Sequence, residues 1–364
     1  MTNDFPAHAL IRVMPCRVWR PHTGGALLDA FVGNPVPLDK HLPEDWLAST
    51  VRAINGDYAQ GPDEGLARVR REDGTPGPLL RDVLATDPAA YLGQPDSPDL
   101  GVLCKFLDTD IRLPIQCHPD RAFAREHYHS AHGKAECWII LDTCAIDGVE
   151  PYLLMGFRPG IRQEDFTAAT LAQDIPALTG MLHHLPAHVG DAYFIPGRFP
   201  HAIGPGVFML EVQEPSDWVV SPEGTCGDIA LSPSQMWGPL TPEVALECFT
   251  YTGETVESVI ARTRQCPTLL NEAAGGRVEL LVGPATTDCF RIERLTVTAA
   301  LTAPCATPYH IEVITAGAGV LRCGPQTLPV RRGDTLFVPH GVSEITYTAT
   351  HAPLIIHRCA SPRE

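Results

Sequence analysis

The chain has 364 residues, enough for two domains of ordinary size, and a hydrophobic fraction of 44% is enough to fill a core in each. Its 43 acidic and 27 basic side chains give a formal charge of −16, and with no dense Lys/Arg run to track a phosphate backbone, nucleic acid is not an expected partner. Residues 1–20 hold no apolar run of signal-peptide length and no later stretch nears the ~20 apolar residues that span a bilayer, so a cytoplasmic protein without membrane contact is expected.

Taken in chain order, helices are predicted over 43–54, 79–85, 120–129, 163–172 and 242–264, each with Asp, Glu or Pro near its start. Strands are predicted over 138–141, 192–196, 207–212, 335–339 and 354–357. The 35 prolines and 31 glycines cut the apolar runs short, so the main class is β. The twelve cysteines are scattered without a C-x-x-C pair, which points to reduced, buried small hydrophobes rather than a zinc ribbon or redox site.

One internal repeat sets the architecture. Gly190-Asp191-Ala192-Tyr193-Phe194-Ile195-Pro196 recurs 143 residues later as Gly333-Asp334-Thr335-Leu336-Phe337-Val338-Pro339. A glycine-aspartate turn feeding an apolar strand that ends at proline is the second signature of the cupin barrel. Two copies predict a mainly β bicupin, two jelly-roll barrels with short helical insertions. The expected division is 1–240 for a metal-binding cupin with its helical insertions, and 241–364 for a helical connector and a metal-free cupin.

A set of metal ligands can be read from strand periodicity. In Leu113-Pro114-Ile115-Gln116-Cys117-His118-Pro119, an extended backbone puts Gln116 and His118 on one face and Cys117 on the other. In Gly133-Lys134-Ala135-Glu136-Cys137-Trp138 the same period projects Lys134 and Glu136 together. His201 follows the first repeat where a cupin places a metal-binding histidine. Two imidazoles, a carboxylate and an amide oxygen suit zinc with a position left for substrate. His127, His129 and His132 fall on a polar helix or loop, and His183, His184 and His188 are expected at the surface. The second domain has Glu344 where the first has its histidine, and Tyr309-His310-Ile311-Glu312 supplies only a partial partner.

At these residues the chain resembles the type I phosphomannose isomerases, particularly the shorter bacterial form. Val102-Leu103-Cys104-Lys105-Phe106-Leu107-Asp108 is similar to the family's lysine-bearing strand, Ile115 to Pro119 to its I-Q-x-H-P, and Gly133 to Trp138 to its G-K-x-E-C-W. Phe194 to Gly204 is similar to its strand ending in H-A-I-G, and Leu210-Glu211-Val212-Gln213-Glu214-Pro215-Ser216-Asp217 to its L-E-x-Q-x-x-S-D. The resemblance implies zinc on Gln116, His118, Glu136 and His201, and interconversion of an aldose and a ketose through an enediol on mannose 6-phosphate or a related sugar. It also implies Lys134 as the proton-exchanging group, Asp217 as its assistant in catalysis, and Lys105 as a substrate-binding residue.

Two positions depart from the pattern. The family's arginine four residues beyond its S-D aspartate is Ser221 here, and Pro114 stands before Ile115 where the family has serine. Arg198, in the loop before His201, is then the candidate for a displaced substrate-binding cation. The competing expectation is a non-catalytic sugar-binding or regulatory bicupin that keeps its metal. An iron oxygenase, which would prefer H-x-H where Gln116-Cys117-His118 stands, is a third.

Overall fold

Strands dominate the computed structural model, which describes residues 5–94 and 99–361. The first half contributes a six-stranded sheet with spatial order Arg17–Val18, Glu44–Leu47, Leu103–Thr109, Val207–Gln213, Glu136–Thr143 and Ala192–Ile195. A three-stranded sheet of His201–Ile203, Tyr152–Phe157 and Leu182–Pro186 accompanies it. The second half contributes eight strands to a nine-stranded sheet built on two long strands, His310–Cys323 and Glu344–Ala360. Their pairing shifts register between Ile314 and Gly319, and such bulges let a strand bend. The whole is a mainly β, cupin-like fold in which all five predicted strands are present.

The repeat is a structural repeat. Gly190 and Gly333 both have φ of +91°, a left-handed conformation that costs a side-chain-bearing residue roughly 1 kcal/mol or more. The Gly190 N–H donates to Ile140 O at 2.9 Å, and the Gly333 N–H donates to Ile314 O at 2.8 Å. Each turn leads into an apolar strand, Ala192–Ile195 in the first half and Thr335–Val338 in the second.

Three predicted helices, over 79–85, 120–129 and 163–172, are found as Leu80–Thr86, Arg121–His127 and Gln163–Ala172. The helix predicted over 43–54 is a correction: Glu44–Leu47 is a strand between Arg17–Val18 and Leu103–Thr109. All four of its residues are buried, as suits a strand covered on both faces. Tertiary pairing has overridden local propensity there, and Ala48 at φ +50° ends the strand. The helix predicted over 242–264 is two short ones, Pro242–Leu246 and Val256–Thr263, capped by the side chains of Thr241 and Thr255. Between them Cys248 and Phe249 turn into the core.

The expected connector packs back on the first half. Leu246 and Phe249 join Phe157 and Phe166 in one cluster, and Val259 joins Trp138 and Ile195 in another. A further cluster runs through both halves, with Phe106 and Leu210 beside Ile311 and Phe337. The N-terminal strand Ile11–Arg12 crosses over to pair with Thr335–Val338. The halves therefore share a core. All twelve cysteines are free thiols, eight of them buried. Among the described residues no helix is long and apolar enough to cross a membrane.

Candidate metal centre

Three antiparallel strands bring the site together. Val207–Gln213 lies between Leu103–Thr109 and Glu136–Thr143, so Glu211 is opposite Lys105 on one side and Trp138 on the other, while Gln213 is opposite Glu136. Lys134 enters just before Glu136, its N–H donating to Pro119 O at 2.9 Å. Gly133 allows that approach, because a Cβ there would lie 2.6 Å from Pro119 O. The segment carrying Gln116 and His118 is extended and held by single bridges from Gln116 to His201 and from Cys117 to Val220. Glu223 secures it from outside, accepting from Ile115 N at 2.6 Å and from Arg112 at 2.8 and 2.6 Å.

The ligand atoms of His118, Glu136 and His201 lie within 4.8 Å of one another, and all three residues are buried. His118 Nδ1 pairs with Trp218 O at 2.9 Å, and His201 Nδ1 pairs with Phe199 O at 2.8 Å. A carbonyl can only accept, so each Nδ1 carries the hydrogen and each Nε2 presents a lone pair, the tautomer a metal requires. Burial pushes the His201 pKa down to about 3, and burial followed by Lys134 and His201 pushes His118 well below its ordinary value. Both rings are therefore neutral at pH 7. His201 Nε2 is buried with no hydrogen-bond partner, and Glu136 Oε1 is 3.4 Å from it.

That donor set fits a divalent metal. Two neutral imidazoles and one carboxylate converge, each histidine is oriented by a carbonyl, and one buried lone pair has nothing else to bind. The Lys134 ammonium lies 2.7 Å from both His118 Nε2 and Glu136 Oε2. A lone pair serves one partner at a time, so metal on His118 requires the ammonium to release that contact. Gln116 lies beside His201, with backbone bonds of 2.8 and 3.0 Å between them.

Behind the cluster runs a buried row of alternating charge. Lys134 is 3.7 Å from Glu211, Glu211 is 3.2 Å from Lys105, and Lys105 is 3.7 Å from Glu44. Arg20 continues it, 3.0 Å from Glu44 and 3.0 Å from Asp217. Burial, opposed by Lys105 and reinforced by Glu136, pushes Glu211 up to about 7. Burial works against the Glu44 carboxylate too, but Arg20 and Lys105 outweigh it and hold that group well below the usual range. Lys105 loses by burial and gains more from Glu211 and Glu44, so its pKa is raised. His22, next to this row, is pushed down to about 3 by burial.

His118, Lys134, Glu136 and His201 thus come together, and Lys105 reaches them through Glu211. Asp217 stands at the other end of the row, with one oxygen on Arg20 and the other accepting from Ile54 N at 2.8 Å. The Arg198 guanidinium donates to Glu247 O at 2.8 Å and Cys248 O at 3.3 Å, while its backbone N–H donates to His118 O at 2.6 Å. Ser221 is buried, its N–H on Met236 O. Sequence reasoning passed over Glu211, Glu44 and Arg20. Glu211 lay inside a quoted motif and could have been found by pairing it across from Lys105. Arg20 is 197 residues from Asp217, and no local pattern signals such a partner.

A mainly β, cupin-like fold that buries a His-Glu-His cluster able to hold a metal ion defines the class. Comparison with known proteins narrows this. The chain is 31% identical over 201 residues to a protein named probable mannose-6-phosphate isomerase GmuF of Bacillus subtilis, covering 55% of this chain and 56% of that one. It is 33% identical over 138 residues to mannose-6-phosphate isomerase of Streptococcus mutans, covering 37% of this chain and 40% of that one. The matches therefore span about half the length of these relatives, or less. Mannose-6-phosphate isomerase ManA of Bacillus subtilis is 24% identical over 262 residues, 69% of this chain and 73% of that one. The solved mannose 6-phosphate isomerase from Bacillus subtilis shares the fold over 96% of this chain and 99% of its own, with a TM-score of 0.73 at 19% identity. A variant of the Salmonella typhimurium phosphomannose isomerase does so over 97% and 99%, with a TM-score of 0.68 at 17% identity. No protein-family profile matches the chain. The chain is thus similar in sequence to proteins named mannose-6-phosphate isomerase and shares the fold of the solved ones.

Proposed function

We propose that the protein is a zinc-dependent aldose-ketose isomerase acting on mannose 6-phosphate or a related sugar through an enediol. The observation that carries this reading is the contact of Lys134 with both His118 and Glu136, beside a carboxylate, Glu211, that exchanges protons near neutrality. Zinc, held by Gln116, His118, Glu136 and His201, would supply a Lewis acid for the sugar's carbonyl oxygen. Lys134 Nζ takes the proton from C2 of the open-chain aldose and returns it to C1, while the hydroxyl proton moves from O2 to O1 through the enediol, giving the ketose. For that the lysine must be an amine, and Glu211, 3.7 Å away, can accept its surplus proton.

The other residues position these two. Lys105 holds Glu211 in place and, in this reading, is the cation that meets a sugar hydroxyl or phosphate. Asp217 fixes Arg20, and through it Glu44, so its part is to order the row rather than to move the proton itself. Arg198 clamps the loop before His201 through carbonyls of the segment after Pro242–Leu246, which supports ligand geometry. The cytoplasm is the expected location, and a small sugar or sugar phosphate the expected partner.

The test is a screen of the zinc-loaded protein against mannose 6-phosphate and other phosphorylated and free hexoses, with the product ketose or aldose read by NMR. Conversion of at least one sugar by wild type and its loss in Lys134→Met support the proposal. Conversion of none, with zinc fully bound, removes it in favour of a binding protein.

A further inference from the structure

A cleft of about 230 Å³ lies between the strand Ile11–Arg12, the hairpin of Arg68–Arg70 with Pro76–Leu79, and the turn feeding Thr335–Val338. None of the metal-cluster residues lines it. Five arginines do, namely Arg12, Arg17, Arg70, Arg331 and Arg332, against two aspartates, Asp45 and Asp334. In a protein whose formal charge is −16, so local an excess of cations is unexpected.

Three of the five guanidiniums already have a partner. Arg17 pairs with Asp29, and Arg332 donates to Phe31 O at 2.8 Å while lying over the Phe31 ring. Among the described residues Arg12, Arg70 and Arg331 have no carboxylate within ion-pair distance. Arg12 Nη2 donates to Pro329 O, but its buried Nε has no partner. Burial disfavours the Arg12 cation, Asp334 offsets part of that, and Arg70 and Arg331 add to it, leaving its pKa below the ordinary value. Three cations without a paired carboxylate therefore face one recess, and Asp334 offsets their repulsion only in part.

We propose that this cleft is a second site, separate from the metal cluster, that binds a phosphate group as inorganic phosphate or as the end of a phosphorylated metabolite. Guanidinium forks match phosphate oxygens in pairs. The volume is below the roughly 300–1,000 Å³ of cofactor-sized pockets, so a compact anion fits. Because Arg12 and Arg70 belong to N-terminal segments and Arg331 to the second half, a bound phosphate ties these segments together.

The experiment is calorimetric titration of the full-length protein with inorganic phosphate and, separately, glycerol 3-phosphate. Arg70 and Arg331 are exposed, so Arg70→Ala with Arg331→Ala should fold, and should lose about ten-fold or more in affinity for both probes. Lys134→Met, at the metal cluster, should bind as wild type does. Arg81→Ala with Arg125→Ala, which removes the same charge elsewhere, should change affinity by less than about two-fold at physiological salt. Tighter binding of glycerol 3-phosphate assigns a phosphorylated metabolite, and tighter binding of phosphate assigns the free anion. The proposal is overturned if wild type binds neither probe, if the Arg70/Arg331 variant binds both as tightly as wild type, or if the Arg81/Arg125 control loses as much.

Discussion

Replacing Arg20 by Met removes one cation from the buried row while keeping much of the stem. The guanidinium is within 3.0 Å of both Glu44 and Asp217, donates to Asn55 at 2.9 Å, and lies 5.1 Å over the Trp46 ring. Removing one partner of a buried ion pair costs about 3–5 kcal/mol, because the other charge is left uncompensated. Here two carboxylates lose the same partner, so urea unfolding at pH 7 should show a loss in that range. The pH dependence is the sharper test. Glu44 is held below its ordinary value of 4.5 in the wild type, so its stabilisation is fully present above that pH and lost as pH falls through the folded value. In the variant, burial faces Lys105 without the help of Arg20, so the depressed pKa should rise toward or beyond the ordinary value. The gap between wild type and variant should then be widest near pH 7, begin to narrow as pH falls toward about 4.5, and go on closing only as pH falls through the depressed wild-type value. Tryptophan fluorescence in urea, read at several pH values, measures it. A gap below about 1 kcal/mol at pH 7, the size of an exposed pair, would refute the reasoning, as would one unchanged at low pH.

His201→Ala should abolish stoichiometric zinc by elemental analysis while the cluster around Leu295, Ile314 and Tyr347 in the second half stays folded; full zinc occupancy would remove His201 from the ligand set. Lys134→Met should keep fold and zinc but slow turnover of the active sugar by ~100-fold or more, as for loss of a positioned acid or base. Parallel loss of zinc would make that lysine structural instead. Gly133→Ala puts a methyl 2.6 Å from Pro119 O, so the Lys134–Glu136 segment must shift. Zinc affinity should fall by roughly ten-fold or more, as when support around a metal ligand is lost, and unchanged affinity on chelator competition would show that the close approach is not needed.

What could be read from the sequence follows the range of the signal. The period of two put Lys134 beside Glu136, and the structure has them in contact although the regular strand begins only at Glu136. The Gly-Asp turn was legible because only one residue type tolerates φ of +91° cheaply, so both copies kept glycine. The strand Glu44–Leu47 was misread because its state is decided by Leu103–Thr109, some sixty residues on, rather than by the Pro and Glu at its start. Arg198 was placed correctly in the loop before His201, but what its guanidinium touches depends on the carbonyls of residues 247 and 248, which no spacing rule relates to it. Likewise the row from Asp217 to Lys134 joins residues from five separate segments. Its members are single charged letters until the sheet aligns them.

The most direct test of the central claim is to incubate the zinc-loaded protein with mannose 6-phosphate, and with any other sugar the screen finds active, in deuterated water and to follow C1 and C2 by NMR. Proton transfer by a group that exchanges with solvent, as Lys134 and Glu211 can, predicts deuterium at C1 of the ketose product, abolished by Lys134→Met. Contradiction would be wild-type protein with full zinc that neither converts any sugar nor introduces deuterium at either carbon.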